Sequence, residues 1–342
     1  MTTLTSPHDL LSAIPFLIGY HPTDSLVLVS LKEGAVLMAM RVDYPKSADS
    51  DQCDALVAHL SRNEADGALI VAYVPEHVTD GVEVLTSLSR ALSGAQIELK
   101  EALLICNGRW RSTLCEDIEC CPLEGKPLPE ISSSRIAAEQ VSTGKVMPFA
   151  NEEELANSLA SAPLAFDESF MERVKNAAIT AENPKLSSLQ RLGAVSVIDL
   201  ASRFIAGSVG ANIESDQELS ARVLGALNDI QVRDFALGSH TDATHEIYWQ
   251  MWRYLLRIAP IGFVAPVATL FAATSYERGE GALAQRALDR AAADDATYSL
   301  TSLLRRVFSA GWPPESFATM RKELHPKVCA GIFENNAALA LH

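Results

Sequence analysis

The chain has 342 residues, of which 28 are Lys or Arg and 43 are Asp or Glu, and its net charge is −15. A surface this acidic repels phosphate, which excludes nucleic acid and anionic membranes as default partners. With 48% hydrophobic and 21% charged residues, the chain is neither disordered nor a disulfide scaffold, and its length corresponds to roughly two domains whose cores need no staples.

The first element is signalled by Ser6-Pro7-His8-Asp9, with Ser6 as N-cap, Pro7 at the first helical position and Asp9 favouring the N-terminal dipole. Pro15 is expected to end this helix. Residues 25–31 and 35–42 are apolar runs of strand formers around Lys32-Glu33-Gly34, the pattern of an antiparallel hairpin. Ala55, Leu56, His59 and Leu60 recur at helical spacing, residues 68–74 read as a strand, 80–92 as a helix and 102–106 as a strand. Helices alternating with buried strands predict right-handed crossovers and a partly parallel sheet, which the first hairpin makes mixed.

Beyond residue 135 the strand signal fades, and helices are expected near residues 152–161, 168–180, 187–205, 217–227 and 243–257. Residues 258–276 carry no charge and approach membrane-spanning length, but Pro260, Gly262 and Pro266 spoil a span and leave a buried helix over 265–276. Two apolar stripes close the pattern, one through Leu283, Ala287 and Ala291 and one through Leu300, Leu304 and Phe308. The fold class predicted is mixed α+β. Residues 1–135 form an α/β domain with a mixed, partly parallel sheet and a Cys-rich loop, and residues 136–342 form an all-helical domain. The first basic residue is Lys32, so a secretory n-region is missing and a cytoplasmic location is expected.

Two segments carry a family resemblance. Asp9-Leu10-Leu11, Pro15, Gly19-Tyr20-His21-Pro22 and Asp24-Ser25-Leu26-Val27 form one; Arg109-Trp110, Ser112, Cys115, Cys120-Cys121-Pro122, Glu124-Gly125 and Pro127-Leu128 form the other. Together they resemble the largely actinobacterial domain-of-unknown-function family numbered 4192. Val232-Arg233-Asp234, Gly281-Ala282-Leu283-Ala284 and residues 298–304 are similar to its helical half. The resemblance implies architecture and candidate positions but no activity. Where the family pattern leads to an Arg before the acidic run, this chain has Ala150-Asn151, so any role of that Arg is absent or moved.

Four of the six cysteines fall between residues 106 and 121. Cys115-x4-Cys120-Cys121, with Cys106 upstream, is half of a zinc pattern, because zinc takes four tetrahedral ligands usually offered as spaced pairs. Neighbouring side chains on an extended chain diverge, so Cys120 and Cys121 are not expected to share an ion, and small buried thiols fixing a loop are the plainer reading. The surrounding Glu116, Asp117, Glu119 and Glu124 raise thiol pKa values and disfavour redox catalysis.

Ligands of α/β sheets sit at the carboxyl ends of parallel strands. There Asn107, Arg109, Trp110 and Arg111 could bind a small anion, with Arg forks and a stacking face. The competing reading is a hairpin turning on Asn107-Gly108, with solvated Arg residues and a packed Trp. His21, Asp24, Glu76 and His77 are the candidates for proton transfer. His240 and His245 with Asp242 read as a capped helix start with solvated histidines, not a metal site. Trp249, Trp252 and Arg253 stand at helical spacing, which mostly means core, and form a candidate hot spot if either tryptophan is exposed. The function expected is that of a binding or interaction protein, self-assembling or holding a protein partner, with an anion site at the strand ends. The alternative is a hydrolase or transferase acting on a small anionic substrate. No cofactor is expected apart from zinc at the cysteines in that alternative.

Overall fold

A computed structural model describes residues 4–47, 49–62, 64–78 and 81–333. The chain divides into two compact units, Met1–Leu155 and Ala156–His342. Helix α1 (Pro7–Ile18) begins as predicted, with Ser6 accepting from the Asp9 N–H. Pro15 does not end it. Proline removes one donor, but the helix continues to Gly19, whose φ of +89° suits a left-handed C-cap and whose N–H reaches the Pro15 carbonyl at 2.8 Å.

Strands β1 (Ser25–Lys32) and β2 (Ala35–Asp43) pair antiparallel around Glu33 and Gly34, both at positive φ, the geometry of a two-residue hairpin turn. Then follow α2 (Ser50–Arg62), β3 (Gly67–Tyr73), α3 (Val82–Gly94), β4 (Glu98–Cys106), β5 (Arg109–Ser112) and β6 (Lys126–Pro127). Asp80, the expected start of α3, lies outside the described residues. The sheet order is β2-β1-β3-β4-β5-β6, and β3–β4 is its one parallel pair among the described residues. Because β1 is antiparallel to both β2 and β3, those two flanking strands run the same way, and α2 is the crossover between them.

The strands alternate between two faces. Leu26, Leu28, Ile70, Ala72, Ala102 and Leu104 pack with Val57 and Leu60 of α2 and Leu85, Leu88 and Leu92 of α3. Trp110 belongs to the other face and meets the ring of His8 from α1 edge-on, at 5.3 Å. Residues 136–155, expected to open the helical domain, belong instead to the first unit. The reason is local: α4 (Arg135–Ser142) packs on α1, and Phe149 forms a bridge with Tyr20, exchanging backbone hydrogen bonds with Gly19 and His21.

After α5 (Glu152–Asn157) come α6 (Glu168–Asn176), α7 (Leu186–Ile205), α8 (Ile213–Ala226), α9 (Ile230–Gly238), α10 (His245–Ile258), α11 (Val264–Glu277), α12 (Gly281–Asp294), α13 (Ser299–Ser309) and α14 (Pro314–Phe333). Helix α11 takes up most of the uncharged segment and ends on Glu277, and it is buried from Val264 through Ser275. Its orphan N–H groups are satisfied from α12, since the Asp294 carboxylate accepts from Gly262, Val264 and Ala265 at 2.7–3.0 Å. Among the described residues no helix is long and apolar enough to cross a membrane.

Candidate functional site

The pairing register gathers several predicted residues at one end of the sheet. Ser25 lies opposite Tyr73, Tyr73 opposite Ile105 and Cys106 opposite Arg109. His21 and Asp24 before β1, Glu76 and His77 after β3, and Asn107 after β4 therefore share the carboxyl-end edge of the parallel pair. Asp24, Glu76 and His77 are exposed, and among the described residues no hydrogen bond or ion pair joins the four proton-transfer candidates. His21 is half-buried, which pushes its imidazole below the usual range.

The anion-binding set does not survive as drawn. Asn107 and Gly108, at φ +50° and +71°, form the tight turn between β4 and β5, so the segment is the hairpin that Asn-Gly predicts. The Arg109 guanidinium is spent on the loop beyond: its Nε donates to the carbonyls of Glu124 (2.9 Å) and Gly125 (3.1 Å), and its Nη2 to Gly125 (2.6 Å). Trp110 is 4% exposed, with Lys126 over its ring at 5.9 Å, and offers no stacking face. Arg111 points to the opposite face, paired with Leu104. The interaction set is corrected as well. Trp252 is fully buried, and Trp249 is half-buried, donating to Ser275 Oγ at 2.9 Å between Phe271, Arg253 and Arg278.

The cysteines do converge. The Sγ atoms of Cys115, Cys120 and Cys121 all lie within 4.8 Å of one another, and Cys106 does not join them. The expectation that Cys120 and Cys121 diverge fails because the segment is a turn, not a strand. The Asp117 carboxylate accepts from the N–H groups of Glu119 (2.9 Å) and Cys120 (3.3 Å), and its carbonyl from Cys121 (2.7 Å), an Asx-type turn that brings both thiols back to Cys115. The loop is held at its base by Arg109 and by Gly125, whose positive φ brings it so close that an added Cβ would lie 2.9 Å from the Trp110 carbonyl. Three thiolates about 2.3 Å from a tetrahedral ion stand about 3.8 Å apart, so this spacing suits one d10 cation. Burial, reinforced by the adjacent Cys115 and Cys120 thiols, raises the Cys121 thiol, so a cation must displace its proton there.

A second cluster was missed. His240 is 3% exposed, not solvated, and its Nε2 lies 3.1 Å from Glu277 Oε2, while Arg321 reaches the same carboxylate through Nε at 2.7 Å and Nη2 at 3.2 Å. Asp242, expected as a cap, is paired with Lys322 at 2.7 Å.

No curated protein and no solved structure matches the chain. The sequence model of the family described as a domain of unknown function, DUF4192, matches residues 7–315, which takes in the whole sheet, the thiol loop and the helices through α13, and the chain belongs to that family.

Proposed function

We propose that the protein is a cytoplasmic metal-binding protein that holds one exchangeable cation of the zinc class on Cys115, Cys120 and Cys121. The observation that carries this reading is the convergence of the three Sγ atoms within 4.8 Å on a loop anchored at both ends. Three protein ligands leave the fourth tetrahedral position open, which distinguishes the site from a closed structural zinc. The acidic side chains of Glu116, Asp117, Glu119 and Glu124 around the loop favour a bound dication. Zinc counted by native mass spectrometry, on protein expressed with zinc supplied, is expected to fall by one per chain in Cys115→Ser and in Cys121→Ser. Wild-type protein that yields zinc to a weak chromogenic chelator as readily as these variants do would sink the reading.

A second reading, self-association, is supported by a different helix from the expected one. On α7, Leu192, Val195 and Ile198 are 46%, 39% and 43% exposed, an apolar row of the kind that marks contact surfaces. If this row carries a dimer, Val195→Asp lowers the mass seen by light scattering; an unchanged mass removes the reading. The anionic-ligand reading has lost its main donor, because the Arg109 guanidinium is engaged within the loop.

A further inference from the structure

The helical unit holds a convergence that the thiol reading does not use. His240 lies in the loop between α9 and α10, His245 opens α10, Glu277 closes α11 and Arg321 comes from α14. Ligand atoms of His240, His245 and Glu277 come within 4.8 Å of one another. We propose that these three residues form a second cation site, for a borderline divalent ion of the zinc class, with Arg321 as its positioning residue.

The donor set is the first ground. Two imidazole nitrogens and one carboxylate oxygen are among the sets that hold zinc with a position left open. Donors about 2.0–2.2 Å from a tetrahedral ion stand about 3.4 Å apart. Glu277 Oε2 lies 3.1 Å from His240 Nε2 and 3.8 Å from His245 Nε2, which brackets that spacing.

The second ground is an unfilled valence. His245 Nε2 is buried without a hydrogen-bond partner, and at 3.8 Å from the carboxylate it is too far to donate. An ion between the two would bond both.

The third ground is the arrangement around the ligands. Arg321 Nε engages Oε1 and its Nη2 donates to Oε2 at 3.2 Å, while Nη1 is fixed on the carbonyls of Gly238 (3.3 Å) and His240 (3.1 Å). It orients both the carboxylate and the His240 loop, the part that outer partners play around metal ligands. The other nearby cations are already neutralised, Lys322 by Asp242 and Arg278 by Glu246 and Glu280. The His245 side chain is 19% exposed and that of His240 only 1%, so an ion enters past His245.

The site stands independently of the thiol loop, and its test removes that loop's ligands. Cobalt(II) is titrated into the full-length Cys115→Ser/Cys120→Ser/Cys121→Ser protein and followed by its visible absorption. The expected spectrum is that of low-coordinate cobalt without thiolate charge-transfer bands. Affinity should fall by roughly tenfold or more in His245→Ala, and by roughly 10–100-fold in Arg321→Lys, with the ligand spectrum retained in the latter. His245→Gln serves if the alanine variant loses its circular dichroism. Equal cobalt affinity with and without His245, or no binding to the triple variant, overturns the proposal. Absence of zinc from the cysteines in the wild-type protein would leave the cobalt result untouched.

Discussion

The two clusters differ in how they are built. The thiols come from seven consecutive residues, on a loop with Cys120 exposed and with Ile118 and Leu123 68% and 75% exposed beside it. The carboxylate cluster draws on four parts of the helical unit, with sequence separations of 37, 44 and 81 residues between hydrogen-bonded partners. A local turn can lose its ligands and leave the sheet standing. A buried ion pair between helices cannot be cut without cost, because each partner is there only on condition that the other is.

The largest expected effect follows directly. Arg321→Ala leaves the Glu277 carboxylate, 6% exposed in its side chain, buried and uncompensated. The loss should be about 3–5 kcal/mol by chemical denaturation. The matching cut in the other region, Cys120→Ser, should fall within about 0.5 kcal/mol of wild type in metal-free protein. Equal losses would erase the distinction between the regions.

Acid should act on one region more than the other. His240, His245 and His325 are all held below their ordinary range, first by burial. A histidine whose folded pKa is depressed binds fewer protons folded than unfolded, so its stabilising share is complete above the ordinary histidine value of about 6.5 and is lost as pH falls below it. Metal-free protein should therefore weaken by up to about 1.4 kcal/mol per pH unit for each such histidine within that window. Glu277, whose folded pKa also lies low, extends the loss below the ordinary carboxylate range. Arg321 and the Lys322–Asp242 pair face the same cluster. Hydrogen exchange at pH 5 and pH 7 should show opening of α10 and α14 and a smaller change in the sheet, where His21 is the histidine held low. Flat protection of those helices would contradict the burial assignment.

How much of this was legible follows the same division. The hairpins at Glu33-Gly34 and Asn107-Gly108 were readable because two-residue turns need residues that accept positive φ. The thiol turn had a signal that was overlooked: Asp117 stands two and three residues before Glu119 and Cys120, the offset at which a carboxylate caps its own backbone. Helix α14 was hidden by Pro326 in its interior, and α1 outruns Pro15 in the same way; tertiary packing overrides the missing donor. Nothing local in the segment around residue 240 indicates that Arg321 arrives there. That explains why His240 reads as solvated when it is buried.

Gly125→Ala probes the joint between loop and sheet. At φ +74° a side chain costs about 1–2 kcal/mol, and the new Cβ would press on the Trp110 carbonyl from 2.9 Å. The expected result is weakened zinc retention with an unchanged helical unit, read by chelator competition together with hydrogen exchange.

The smallest effect is the sharpest on ligand number. Cys106 ends β4 opposite Arg109, half-buried and apart from the three converging thiols. Cys106→Ser changes one atom without altering the Asn107-Gly108 turn, so stability should stay within about 0.5 kcal/mol and zinc retention should not change. Full retention, with Cys115→Ser losing the ion, leaves three protein ligands and one exchangeable position. Loss of the ion on Cys106→Ser would make Cys106 the fourth ligand, close the site, and turn an exchangeable centre into a structural one.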